Sequence, residues 1–376
     1  MKKVVIVFLV LLIIIGIIFA GIYIKNNTNN SNQKNENNEI FVEEQVDKNS
    51  ISYTGWLKTD GSRLLNEKGE QIQLRGLSSH GIQWFPEVLT EENIKELKDN
   101  WNINVFRIAM YTDPEANGYI AHPEQSKEFV NKIVECAIKN DMYVIIDWHI
   151  LNDKNPQIYE QQSKDFFEEM SKKYFETPNV IYEICNEPNG QDVKWDYNVK
   201  PYAENIIKII RNNSPKSLII VGTPDWCKDL ASVANNPINE KNIIYSCHFY
   251  AGTHGEELRK QIDYCREKNI PIFISECGIT EASGNGKIYE EKFNEWINYI
   301  NKNNLSWIFW SFCNKEESSS ILTKEYKIEE TENTTEDSEK NNEKIEENNQ
   351  KNEEKNINNY LTNTGKIIKN ILISYK

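Results

Sequence analysis

The sequence predicts a single (β/α)8 barrel, and three observations carry that reading. Eight short, mostly apolar, β-rich segments recur between residues 71 and 310, and helical patterns fill most of the connections between them. Two of the segments end in a glutamate with turn residues just beyond, in Asn186-Glu187-Pro188-Asn189-Gly190 and Ser275-Glu276-Cys277-Gly278. Continuous apolar runs suit strands buried on both faces, as parallel strands with helical crossovers are. About 270 residues of such alternation fit one barrel domain.

Taken in order, the first strand is expected at 71–77. Thr90 then caps a helix over 90–100, with Asn93 standing where a capping box would place Glu. Strands at 104–110, 143–148 and 181–186 are each followed by a helical pattern, at 124–140, 163–175 and 202–213. After the fifth strand, 218–222, the connection is only weakly helical, around 229–234. The sixth and seventh strands, 243–250 and 272–276, precede helices over 256–268 and 289–303. The eighth, 307–310, is followed at a distance by a last helix over 365–374.

Barrel chemistry sits where strands end and βα loops begin, which is where Glu187 and Glu276 fall. The chain carries 57 acidic residues, so a lone glutamate here would read as an ordinary solvated carboxylate. Two in matching strand-end contexts read as catalytic. Arg107, His149, His248, Tyr250 and Trp310 also lie at or just past predicted strands, and so does His80. One such histidine is more often structural, and one such tryptophan more often core. Jointly they outline a cleft.

The segments LRGLSSHGIQWF, NVFRIAMYT, YVIIDWHILNDKNP, NVIYEICNEPNG, HFYAGTHG, PIFISECG and WSFCNKEESSSIL resemble, in order and spacing, the bacterial endo-β-1,4-glucanases (cellulases) of glycoside hydrolase family 5. The resemblance runs from about residue 55 to 322 and resumes near 361. It implies that Glu187 is the general acid/base and Glu276 the nucleophile of a retaining double displacement on internal β-1,4-glucosidic bonds, with carboxyls about 5–5.5 Å apart. Arg107 beside Glu276 would keep the nucleophile ionised, while a less compensated Glu187 stays protonated. Asn186 matches the residue that bonds the sugar 2-hydroxyl, and His248 and Tyr250 the pair that orients the carboxylates. His80, Tyr111 and His149 would line the cleft. Trp84, Trp226 and Trp310 would stack on sugar rings, and Lys315 and Glu317 would reach hydroxyls at the outer glycone subsites. A β-mannanase or mixed-linkage glucanase shares this machinery, and a non-catalytic surface carbohydrate-binding protein is the reading from another class. Cys277 stands where relatives often carry Trp.

The rest of the chain bears on location. Residues 4–24 are 21 uncharged residues after Met1-Lys2-Lys3. As a helix they span about 31 Å, enough to cross a bilayer, with the positive end inside. An uncleaved signal anchor is the preferred expectation and a cleaved signal peptide the alternative; either places the enzyme outside the cytoplasm. Residues 25–50 read as an Asn-rich linker, and 51–376 as the barrel domain. A charged insertion is expected at about 324–357, where relatives have a short loop. Its residues 325–356 hold 12 acidic and 5 basic side chains, half of the chain's net −14, with too few apolar ones to bury. The acidity therefore says little about partners, and no basic patch points to nucleic acid. The partner expected is a neutral β-glucan polysaccharide, met by a monomer. The odd count of seven cysteines, without C-x-x-C, reads as buried thiols. The five histidines lack metal-ligand spacing, so no metal and no cofactor are expected.

Overall fold

A computed structural model describes residues 47–48, 50–326 and 356–375. The expected anchor at 4–24, most of the linker and most of the charged insertion lie outside the described residues. No helix among the described residues is long and apolar enough to cross a membrane.

Eight parallel strands close into a barrel: β3 (Arg75–Ser79), β4 (Val105–Tyr111), β5 (Tyr143–His149), β6 (Val180–Glu183), β7 (Ile219–Val221), β8 (Ile243–Tyr250), β9 (Ile272–Gly278) and β10 (Trp307–Phe312), with β10 pairing back to β3. The helices between them are α2 (Glu91–Trp101), α3 (Pro123–Lys139), α4 (Glu160–Lys173), α5 (Lys200–Asn213), α6 (Leu230–Asn235), α7 (Glu256–Glu267) and α8 (Glu290–Asn303). Their starts follow local chemistry. The Thr90 side chain accepts from the Asn93 amide at the head of α2, Pro occupies the first position of α3, and Asp229 caps the short α6. The last helix, α9 (Asn363–Ile373), starts earlier than the expected 365 because the Thr362 side chain accepts from the Gly365 amide.

Two layers of core follow from the period-2 alternation of each strand. Phe106, Ile108 and Met110 of β4 face the helices, whereas Val105 joins Tyr143, Ile145, Ile181, Ile220, Ile244, Phe273 and Ile308 in a separate apolar cluster, which Leu64 also enters. Leu64 belongs to an antiparallel hairpin, β1 (Lys58–Asp60) and β2 (Arg63–Leu65), preceded by the short α1 (Ile51–Thr54). This hairpin is why the first barrel strand starts at Arg75 rather than 71: Gln71 bridges Leu65, and the Ile72 amide donates to Leu64 O.

The expected insertion boundaries, 324–357, are too wide. Tyr326 and Ile357 are both buried; the Tyr326 hydroxyl lies 2.8 Å from Asn93 Nδ2, and its ring packs edge-on to Tyr360. An antiparallel bridge between Leu322 and Leu361 sets the two ends of the segment side by side. Tyr326 therefore belongs to the core and not to the polar run.

Candidate active site

Arg107, from the middle of β4, is fully buried and is the hub of the site. Its Nε donates to Glu183 Oε2 at 2.7 Å, Nη1 to Glu276 Oε2 at 3.2 Å and Nη2 to Asn186 Oδ1 at 2.6 Å; Nη2 also lies 3.0 Å from Asp147 Oδ2. Arg107 thus stands beside Glu276 as expected, but three carboxylates share its one guanidinium. Buried as they are, they cannot all be ionised cheaply.

Glu276 reaches the interior through a bulge. Between Ser246 and His248 of β8, strand β9 runs from Phe273 to Glu276, one residue more than the pairing needs. Ser275 and Glu276 consequently both approach the polar interior groups, and Cys277 turns to the helix side. The Tyr250 hydroxyl donates to Glu276 Oε1 at 2.7 Å. Glu187, just beyond β6, faces His248 Nδ1 at 2.8 Å. Ligating atoms of Glu187, His248 and Glu276 all lie within 4.8 Å of one another. This is the close carboxylate spacing of retaining rather than inverting glycosidases. Such a trio could also grip a cation, but each member already has a protein hydrogen-bond partner, which favours acid–base work.

Burial pushes Glu187 up to about 7, with Arg107 and Lys228 acting against the rise. Burial also raises Glu276, and Glu187 adds to this, while His248, Arg107 and His149 pull it down. His248 is lowered to about 4 and His80 to about 3, both chiefly by burial, so both are neutral at pH 7.

The other expected residues converge on one groove of about 540 Å³, lined by His80, Trp84, Tyr111, His149, Trp226, Trp310, Lys315 and Glu317 together with both glutamates, His248 and Tyr250. His149 lies parallel to Trp310, with ring centroids 5.3 Å apart, and packs on Tyr111 at 4.1 Å, which in turn meets Trp84 at 4.7 Å. Trp84 is 39% exposed and Trp226 43%, so both keep a free face. Trp226 sits in a turn where Asp225, Trp226 and Cys227 all have positive φ, and its amide donates to Pro188 O beside the Asn-Glu-Pro segment. Lys315 pairs with Glu317 at 2.5 Å, and Lys315 Nζ stands 3.5 Å from His80 Nε2. Arg107 and Asn186 stand behind this wall. Asn186 Nδ2 donates to Ile150 O and lies 3.3 Å from His149 Nε2.

Sequence reasoning missed three members of the site. Asp147 lies 2.6 Å from His149 Nδ1, and its Oδ1 has no partner among the described residues; burial pushes it up to about 7. Glu183 is fully buried between Arg107 and Ser275. The available signal was a charged residue inside an apolar strand run, in Tyr-Val-Ile-Ile-Asp147 and Val-Ile-Tyr-Glu183. Ser275, a small residue beside Glu276, gave no such signal.

A parallel barrel that brings two carboxylates this close beneath an aromatic groove has the layout of a retaining glycoside hydrolase. The profile described as "Cellulase (glycosyl hydrolase family 5)" matches residues 65–316, and the chain belongs to that family. It is similar to an endoglucanase of Clostridium saccharobutylicum, 48% identical over 273 residues, which are 73% of this chain and 60% of the relative. Endoglucanase A of Evansella cellulosilytica is 46% identical over 68% of this chain and 51% of its own length. The chain thus spans roughly half to three-fifths of these curated relatives. Among solved structures, Cellulase Cel5C_n matches with a TM-score of 0.74 and 36% identity over 86% of this chain and 93% of that one. The catalytic domain of Thermobifida fusca endoglucanase Cel5A matches with a TM-score of 0.73 and 28% identity over 86% and 99%.

Proposed function

We propose that the chain is an endo-β-1,4-glucanase that cleaves internal bonds of cellulose or related β-glucans with retention. The observation that carries this is the Glu187/Glu276 pair, close together and held by different partners. Glu276 attacks the anomeric carbon while Glu187 gives its proton to the departing glycosidic oxygen. Glu187 then takes a proton from the water that releases the sugar from Glu276. Tyr250 and Arg107 support the ionised nucleophile by donating to its two oxygens. Asn186, oriented by Arg107 and Ile150 O, is the group for the sugar 2-hydroxyl. Trp84, Trp226 and Trp310 offer faces to successive rings, with His80, Tyr111 and His149 as the wall and Lys315 and Glu317 as polar contacts beyond. A neutral substrate fits a groove whose histidines are uncharged. One solved relative, a variant of the T. fusca catalytic domain, is described as a complex with cellotetraose.

Glu276→Gln and Glu187→Gln test the roles. Both should lose most turnover of soluble glucan, but glycosylation by an activated aryl cellobioside, whose leaving group needs no proton, should survive only in Glu187→Gln. Equal loss in both would contradict the assignment. Parallel assays on carboxymethylcellulose, mixed-linkage glucan, xylan and mannan separate the sugar preferences.

For location, we propose 4–24 as a membrane anchor and 25–50 as a tether that hold the domain 51–376 outside the cytoplasm. Full-length protein should then pellet with membranes through a high-salt wash, with its barrel open to external protease. Mature protein in the medium, starting near residue 21 to 30, would show cleavage instead.

A further inference from the structure

Behind the groove, a chain of hydrogen bonds joins the two glutamates, and its deepest member, Glu183, has no part in the mechanism above. Glu183 Oε2 accepts from Arg107 Nε at 2.7 Å, and Oε1 accepts from the Ser275 hydroxyl at 2.7 Å. Ser275 Oγ lies 3.1 Å from His248 Nε2, and His248 Nδ1 lies 2.8 Å from Glu187 Oε1. Glu183 and Ser275 are wholly buried and His248 nearly so.

Proton counting orders this chain of bonds. A serine hydroxyl has one proton. Arg107, donating to Glu183 Oε2, marks Glu183 as the carboxylate that takes it, so Ser246 Oγ, in hydrogen-bond contact with Ser275 Oγ, is a donor to Ser275. Ser275 Oγ therefore meets His248 as an acceptor, which assigns the imidazole proton to Nε2. The Nδ1 of that tautomer is a bare lone pair, so Glu187 satisfies it only as a protonated carboxyl that donates. We propose that Glu183 and Ser275 are positioning residues which, by selecting the Nε2–H tautomer of His248, keep Glu187 protonated in the free enzyme. The inference rests on the reading of Glu187 as general acid. The order of proton affinities agrees with it, since burial raises Glu187 to about 7 and lowers His248 to about 4.

The other charged and titratable groups that bear on this pair come from several strands and loops: Arg107 and Tyr111 from β4, Asp147 and His149 from β5, Tyr250 from β8, Glu276 from β9, Lys228 and Cys227 beyond β7, and His254 beyond β8. None is altered by substitution at Ser275. In Ser275→Ala the Nε2–H loses its acceptor, the Nδ1–H tautomer takes over and donates to an ionised Glu187, and the acid form is lost at lower pH. The alkaline limb of kcat/KM, which reports the free enzyme, should move down by about one unit on soluble glucan, a tenfold change in proton affinity. KM should stay within about twofold at pH 5, and glycosylation by an activated aryl cellobioside should stay at wild-type rate at pH 5 and 7.

Glu183→Gln is the second variant, isosteric and so tolerant of any packing loss in the first. Its amide keeps one oxygen, which Arg107 claims by charge, and turns its NH2 on Ser275. The serine then donates to Nε2, and the same downward shift is expected. A limb that moves in neither variant overturns the proposal, as does a rate loss uniform in pH that includes the aryl substrate, which marks a merely structural role. Glu187→Gln, run alongside, separates the two layers: if it keeps a normal alkaline limb on glucan, the acid assignment itself is wrong.

Discussion

At Arg107 one guanidinium faces Asp147, Glu183 and Glu276, and this imbalance governs how the site responds to pH. Asp147 and Glu187 both stand near 7, raised by burial from the ordinary carboxyl range near 4. Between about pH 4 and 7 the folded chain holds protons that the unfolded chain has released. Their contribution to stability is therefore full below the unfolded value and declines as pH rises through 7. His80 and His248, held neutral by burial at about 3 and 4, act in the opposite sense over the same window, so the carboxyl contribution is read by difference: the melting temperature of Asp147→Asn relative to the parent should rise with pH between about 4 and 7. Activity shares the same limit, because the acid form of Glu187 is lost above about 7 and kcat/KM on glucan declines there. Arg107→Met should lower stability by about 3–5 kcal/mol, read by denaturant unfolding at pH 7, because it leaves buried carboxylates without a partner. At this scale Glu187, Glu276, His248 and Tyr250 were legible from their places at or just past strand ends, and Arg107 from its place within a strand. Asp147, Glu183 and Ser275 were harder to see, since contacts that set a buried proton's position join residues from five different strands.

The barrel strands were legible because two-sided burial writes them as continuous apolar runs, as in β5 and β8. The hairpin β1–β2 was not: its strands have three residues each and no alternation long enough to register. Nor was the bulge at Ser275–Glu276, which exists only in the pairing of β8 with β9. One element-scale contact bears directly on the acid. A Cβ on Gly222, just after β7, would stand 2.1 Å from Cys185 O and 2.7 Å from Asn186 O, both backbone atoms. Gly222→Ala should therefore displace the segment that carries Asn186 and Glu187. We expect kcat on soluble glucan to fall tenfold or more, in line with the cost of misplacing a reacting group by about 1 Å, while far-ultraviolet circular dichroism stays that of the barrel. A variant with unchanged kcat would mean that the segment yields without moving the glutamate.

For the whole molecule, composition marks the polar run near 325–356 but not its anchoring residues. Tyr326 belongs by sequence to that run and by packing to the barrel's outer layer, because Asn93 of α2 and Tyr360 receive it. Excising 328–355 for a short Gly-Ser linker should leave kcat and KM within about twofold, a barrier change of ~0.4 kcal/mol, since Leu322 and Leu361 already hold the ends together. Tyr326→Ala should instead cost about 3 kcal/mol of stability in denaturant unfolding. The account as a whole stands on Glu276 forming a covalent bond to sugar. Peptide mass spectrometry after incubation with an activated 2-deoxy-2-fluoro-β-cellobioside tests this most directly: the predicted result is one fluorocellobiosyl group on the peptide containing Glu276, and an unlabelled enzyme, or a label on any other residue, would contradict it.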